Sequence, residues 1–320
     1  MSLEIENLRI YYQTLRGDVK AVDNLSFKVE NGEIMGLAGE SGCGKSTLSN
    51  SLILLKPPMK YVSGNVTIDD EPLPIHDFKG MNKFRYKKVS IIPQYAMNAL
   101  NPTQKIGKLI SDLLENHGTS FSTMEKEIKE RFKIVELKEA VLDMYPMELS
   151  GGMKQRVVMV ISTLLNPSLL LADEITSALD VSTQKAVSRM IVEFRNRGFV
   201  KSVIFVTHDV SVLYQIADSI MIMYAGKQVE RASTETIVKK PLHPYTKLLI
   251  SSLPEVGIKY SENPLKGIPG NPPELLTPPN GCRFRSRCPL AYEKCMEEPP
   301  LVEVMPNHYV ACWKVENAND

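Results

Sequence analysis

No stretch of this 320-residue chain comes near the ~18 consecutive apolar residues that a membrane-spanning helix needs. The longest candidate, Val157 to Leu165, contains Ser162 and Thr163 and reads as a buried helix. The N-terminus lacks the pattern of a signal peptide: Met1 to Ile10 alternates apolar with polar residues, carries Glu4 and Glu6, and reads as a strand. The chain is therefore expected in the cytoplasm, touching a membrane only through partners. An excess of charge is also missing. The 38 Lys and Arg residues nearly cancel the 37 Asp and Glu, which argues against a nucleic-acid binder. Cysteine is sparse: Cys43 stands alone, and Cys282, Cys288, Cys295 and Cys312 crowd the C-terminal end. A reducing cytoplasm disfavours disulfides among them. No internal repeat is visible.

What remains is ordinary globular composition, 43% hydrophobic and 23% charged, over a length that suits one large domain and an appendage. Strand-like runs occupy Leu3–Tyr12, Val22–Val29 and Glu33–Ala38, with a helix expected from Lys45 to Leu55 and shorter strands at Gly64–Asp69 and Lys88–Pro93. Ile106, Leu109, Ile110, Leu113 and Leu114 then repeat at helical spacing, as do Met124, Ile128, Phe132 and Val135. Strands return at Leu169–Ala172, Ser202–Val206 and Ser219–Tyr224, with a helix at Val181–Asn196. The alternation predicts an α/β fold: a mostly parallel core sheet, N-terminal antiparallel strands and an inserted helical subdomain at about 96–165. Beyond Pro241 proline becomes dense, as in Ile268-Pro269-Gly270-Asn271-Pro272-Pro273. The expected division is one large domain at 1–245 and an extended, cysteine-bearing arm at 246–320.

Two motifs point to chemistry without any comparison. Gly39-Glu40-Ser41-Gly42-Cys43-Gly44-Lys45-Ser46-Thr47 matches G-x-x-x-x-G-K-[ST] between a strand and a helix. Its glycines let backbone amides turn toward phosphate oxygens, Lys45 reaches the β- and γ-phosphates, and the Ser46 hydroxyl serves Mg²⁺. The apolar strand Leu169–Ala172 ends in Asp173 and Glu174. Asp173 is expected to hold Mg²⁺, and Glu174 to polarise a water attacking the γ-phosphate. Two acids at a strand end are usually just solvated; their place after a phosphate loop reverses that weighting.

A third motif narrows the family. Leu149-Ser150-Gly151-Gly152-Met153-Lys154-Gln155-Arg156 closely resembles the LSGGQ signature of ABC ATPases. As a plain helix cap, Ser150 would not need two glycines, which cost roughly 1 kcal/mol each in a helix. The resemblance implies that this segment caps the ATP of a second cassette. It further implies that Gln94 is a Mg²⁺ and water ligand, that Ser177-Ala178-Leu179-Asp180 form the D-loop, that His208 contacts the γ-phosphate, and that Tyr12, rather than Tyr11, stacks on adenine. Ile175 stands where that family usually has proline.

His243-Pro244-Tyr245-Thr246, the proline-rich arm and the terminal cysteines resemble the ATPase subunits of dipeptide and oligopeptide importers, with Pro57-Pro58 through Ser63-Gly64 closer to the D-type than the F-type subunit. The resemblance implies an ATP-hydrolysing subunit with a homologous second ATPase, two transmembrane permeases and an extracellular or periplasmic solute-binding protein. Import of oligosaccharides or another solute is the alternative within the family. A soluble ABC ATPase and a pure redox protein are the readings outside it. The four cysteines, spaced C-x5-C-x6-C-x16-C, suit either Zn²⁺ or an iron–sulfur cluster by spacing; the resemblance implies a [4Fe–4S] cluster.

Overall fold

The computed structural model describes residues 2–177, 179–252 and 267–316. Its strands are β1 (Leu3–Thr14), β2 (Gly17–Val29), β3 (Ile34–Ala38), β4 (Met59–Ile68), β5 (Glu71–Pro72), β6 (Val89–Ile92), β7 (Leu169–Asp173), β8 (Ser202–Val206), β9 (Ser219–Tyr224), β10 (Lys227–Ser233), β11 (Val302–Met305) and β12 (His308–Val310). Its helices are α1 (Lys45–Ser51), α2 (Ile106–Asn116), α3 (Glu125–Ile134), α4 (Gly151–Thr163), α5 (Val181–Asn196), α6 (Val210–Ile216), α7 (Thr234–Lys239), α8 (Pro244–Ser251) and α9 (Trp313–Glu316).

Two sheets form. One is antiparallel, in the order β2-β1-β4-β5; the larger runs β11-β12-β10-β9-β3-β8-β7-β6. Its centre, from β9 to β6, is parallel. Every residue of β3, β7 and β8 is buried, the signature of strands covered on both faces. Alternate residues feed different cores. Ile34, Leu170, Val203, Phe205 and Ile222 join the core beneath α2–α6, whereas Leu37, Leu171, Ile204, Val206 and Met223 join the core shared with α1 and the antiparallel sheet. Removing such continuous apolar surface from water, at ~25 cal/mol per Å², is what holds the sheet between its layers.

The expected helical run at 106–135 appears as α2 and α3, which bury Ile106, Ile110, Leu114, Ile128 and Phe132. Three expectations need correcting. Helix α1 ends at Ser51 rather than near Leu55, closing in a turn where the Ile53 and Leu54 amides donate to the Asn50 carbonyl. β4 begins at Met59, five residues earlier than expected, because it pairs along β1 while one face stays half exposed and carries little apolar signal. The C-terminal segment is not simply an extended arm. β12 pairs with β10 and β11 with β12, so this segment completes the edge of the main sheet. Strands of four and three residues are too short to leave a readable alternation.

One buried polar cluster fastens that edge. The Glu230 carboxylate on β10, fully buried, accepts from the amides of Leu242 and His243 at 2.7 and 3.0 Å and meets His308 Nε2 on β12 at 2.8 Å. Burial alone would raise the Glu230 carboxyl, but these hydrogen bonds outweigh it and hold the group below its ordinary value. Its stabilising contribution is therefore complete above the unfolded carboxyl value and is lost as pH falls through the depressed folded value. Denaturant titrations of the native chain should lose stability more steeply between about pH 5 and 3 than those of Glu230→Gln. Equal slopes would show that Glu230 does not couple folding to protons.

Candidate functional site

The site is built where β3, β7 and β8 leave the sheet. After Ala38 the chain turns through residues 39–44 into α1. Gly44 is left-handed at φ 108, and a Cβ there would lie 2.0 Å from the Ala21 carbonyl oxygen; at Gly39 it would lie 2.1 Å from that of Met223. No other residue fits either place. Ser41 and Gly42 are exposed at the loop tip. Cys43 is buried, and burial raises its thiol above the usual range. The Lys45 ammonium folds back on the loop, donating to the carbonyls of Gly39 at 2.8 Å and Glu40 at 3.0 Å.

Ser46 Oγ donates to Asp173 Oδ1 at 3.0 Å, joining the start of α1 to the end of β7. Burial, aided by the neighbouring Glu174 charge, raises the Asp173 carboxyl against the opposing pull of Ser46 and Lys45. Glu174 adopts φ 47, a left-handed conformation uncommon for a side chain of its size. Its amide donates to the Val206 carbonyl at 2.9 Å, so the turn is pinned to β8. Its carboxylate collects three groups. Gln94 Nε2 donates at 2.9 Å and Ser177 Oγ at 3.1 Å, both to Oε2, and His208 Nδ1 lies 3.7 Å from Oε1. Tyr12 faces this loop, with its hydroxyl 3.1 Å from Thr47 Oγ1. Tyr11 turns the other way and donates to Asp23 at 2.8 Å; burial and that bond push its phenol up to about 12. The two tyrosines thus point to different sides of β1, Tyr12 toward the loop and Tyr11 toward Asp23.

The segment 149–153 stands apart. Leu149 is buried and Ser150 is exposed, its Oγ accepting from the Met153 amide at 3.3 Å to cap α4. A Cβ on Gly151 would strike Met97 Sδ at 2.7 Å, while one on Gly152 would meet open space. Among the described residues, no hydrogen bond joins this segment to the loop at 39–47. The segment instead reaches the acid pair through Gln155, whose Nε2 donates to the carbonyl of buried Ile175. Sequence reasoning gave Gln155 no role, although it lies within the quoted motif. Ala178 lies outside the described residues. Leu179 packs against the core, and Asp180 caps α5, held well below the usual carboxylate range by hydrogen bonds from Ser182 and Thr183.

Cys282, Cys288, Cys295 and Cys312 line one small cavity, of about 10 Å³, together with His243, Phe284, Leu290 and Trp313. Burial raises the thiols of Cys282, to about 11, and of Cys288 and Cys312. Among the described residues, no three His, Cys, Asp or Glu side chains are close enough to hold a metal ion as they stand. Sequence reasoning also missed Arg287, which binds the Glu40 carboxylate through both terminal nitrogens at 2.6 and 2.9 Å. The two lie 247 residues apart, and no local pattern announces the pair.

Comparison with known proteins agrees with this geometry. Residues 22–177 match the family model described as "ABC transporter", and residues 229–295 match "Oligopeptide/dipeptide transporter, C-terminal region". The dipeptide transport ATP-binding protein DppD of Caldanaerobacter subterraneus subsp. tengcongensis is 39% identical, over 98% of this chain and 97% of its own. The oligopeptide transport ATP-binding protein OppD of Salmonella typhimurium is 36% identical, over 98% and 93%. Among solved structures, the ATP-binding cassette MJ0796, a dimer bound to ADP and Pi, superposes with a TM-score of 0.63 at 27% identity, covering 72% of this chain and 98% of its own. The cbiO1 structure from Clostridium perfringens, at 24% identity and a TM-score of 0.64 over 75% and 91%, shows the same fold. No helix among the described residues is long and apolar enough to cross a membrane.

Proposed function

The chain belongs to the ABC transporter family, among its ATP-binding subunits, and from that premise we propose that it powers the import of dipeptides or oligopeptides by hydrolysing ATP with Glu174 as the residue that activates water. The observation that carries this reading is the convergence on one carboxylate. Glu174 receives Gln94, Ser177 and His208, and it lies one residue beyond Asp173, which is bonded to Ser46. The peptide cargo rests on the likeness to the dipeptide and oligopeptide transport proteins.

MgATP is the substrate. The loop amides and Lys45 receive its phosphates, Lys45 giving up the Gly39 and Glu40 carbonyls for the β- and γ-oxygens. Ser46, Asp173 and Gln94 offer the hard oxygen donors that Mg²⁺ prefers. Tyr12 stacks on adenine. Glu174 takes the proton of the attacking water, and His208 steadies the γ-phosphate. Ser150, which meets no part of its own chain's loop, serves the nucleotide of a second cassette; the dimeric form of the MJ0796 relative supports this arrangement. That second cassette is a homologous ATPase, as in a heterodimer, and the D-loop 177–180 lies between the two. Tyr95 and Met97, exposed apolar groups that follow Gln94 in the chain, offer a docking face for helices of the two permeases; a solute-binding protein delivers the cargo from outside. The cassette proper spans 1–245, with its helical subdomain at 96–165, and 246–320 form the C-terminal unit.

The four thiols are read as ligands of a [4Fe–4S] cluster. They share one cavity, and the choice of a cluster over Zn²⁺ rests on the resemblance of this segment to the peptide-importer ATPases, since no three of the thiols stand close enough to hold a metal ion. Such a cluster would cross-link the loops bearing Cys282, Cys288 and Cys295 to Cys312, folding the unit without entering hydrolysis.

Two outcomes follow. Glu174→Gln in the assembled transporter should bind ATP normally and turn over ~10²–10⁴-fold more slowly; near-normal hydrolysis would remove Glu174 from its role. Protein purified without oxygen should be brown and carry about four irons per chain. Colourless protein with one zinc per chain would replace the cluster with a mononuclear site.

A further inference from the structure

We infer that Arg287 is a positioning residue for the ATP loop, through which the cysteine-bearing C-terminal segment sets nucleotide affinity. This rests on reading residues 39–47 as the ATP-binding loop. Glu40 is the sole acid among those nine residues. An unpaired carboxylate there would repel a triphosphate and compete for Lys45, which already touches the Glu40 carbonyl at 3.0 Å. Arg287 removes both problems.

Its guanidinium, 3% exposed, grips both Glu40 oxygens. Nε donates to the Pro269 carbonyl at 2.7 Å, Nη2 to that of Ile268 at 3.2 Å, and Nη1 to the Tyr224 hydroxyl at 3.2 Å. All five N–H donors are thereby used, so the fork has a single orientation. The Tyr245 hydroxyl accepts the Glu40 amide at 2.8 Å, so Glu40 is held at its backbone as well as its carboxylate. Tyr224, Tyr245 and Phe284 form a mutual aromatic contact, with centroids 4.6 to 5.3 Å apart, that backs the ion pair.

The gripping residues belong to the cysteine segment. Arg287 adjoins Cys288, and Arg283 adjoins Cys282 and pairs with Asp23, the acceptor of Tyr11 on the strand that carries Tyr12. Ordering of the C-terminal segment therefore reaches both the phosphate and the adenine ends of the site. Residues 247 apart in sequence thus meet at the loop.

The test measures the Kd of a fluorescent ATP analogue on the full chain, with kcat and KM from the assembled transporter. Arg287→Ala should weaken binding and raise KM about tenfold, leaving kcat at saturating ATP within about threefold. Adding Glu40→Gln should restore Kd to within about threefold of native, since the charge needing neutralisation is gone. A merely structural arginine would lower the unfolding midpoint and gain nothing from Glu40→Gln. Arg287→Met, which keeps the buried stem filled, carries the same expectations should the alanine variant not fold. Native affinity in either arginine variant, or a loss that Glu40→Gln leaves in place, overturns the inference. Failure of the native chain to bind the analogue would instead overturn the reading of the loop itself.

Discussion

Val206 sits level with Leu37 on β3 and with Asp173 on β7, because β8 pairs in parallel with both strands. That shared register means three chains leave the sheet at one height: Ala38 into the phosphate loop, Asp173 into Glu174, and Val206 into Thr207 and His208. Backbone bonds lock the exits, from Glu174 N to the Val206 carbonyl and from Thr207 N to the Leu37 carbonyl. A slip of one residue in any pairing would reverse every side chain between the two cores and separate Ser46 from Asp173. Burial on both faces makes such a slip expensive, and so the site is held by packing far from it. Ligands of open α/β sheets gather at the carboxyl ends of parallel strands for this reason.

Within that frame the resting site neutralises itself. Lys45 is satisfied by two loop carbonyls, Ser46 by Asp173, and Gln94 and Ser177 by Glu174. Each of these bonds has one charged partner and contributes a net ~1.5–3 kcal/mol, which the stronger charge of an incoming triphosphate and its cation can replace. The groups are thus held close to their working positions without being trapped there. The left-handed Glu174 adds local strain of the kind that recurs at functional sites, held in place by the Val206 tie and the Gln155–Ile175 bond behind it. Ile175 keeps that second bond where a proline would also present its carbonyl, so the departure from the family pattern leaves the contact available.

Much of this was readable in the chain. The continuous apolar runs of β7, β8 and β9 announced doubly covered strands, and α5 appeared at Val181–Asn196 with Asp180 as its cap. The phosphate loop and the acid pair carry their own spacing, whereas Tyr12 was set above Tyr11 by resemblance alone. What stayed hidden was non-local or short. β11 and β12 hold four and three residues, and β4 is amphipathic with one wet face. The Arg287–Glu40 and Glu230–His308 pairs join residues far apart, and an isolated arginine, glutamate or histidine has no periodicity to betray its partner. The proline-rich stretch gave an accurate sense of irregular backbone, yet said nothing of where that backbone lies.

The residues proposed to face the phosphates gather on one side, while on an outward face Ser150 is exposed with open space beside Gly152. The account claims that these two sides serve different nucleotides. The most direct measurement compares ATP binding to the isolated chain with turnover by the assembled transporter for Lys45→Ala and Ser150→Ala. Lys45→Ala should lose both, because the β- and γ-phosphates lose their main cationic contact. Ser150→Ala should keep native ATP affinity in the isolated chain and lose turnover only in the assembly. Loss of nucleotide from the isolated Ser150→Ala chain would contradict the claim, since it would place Ser150 at its own chain's ATP.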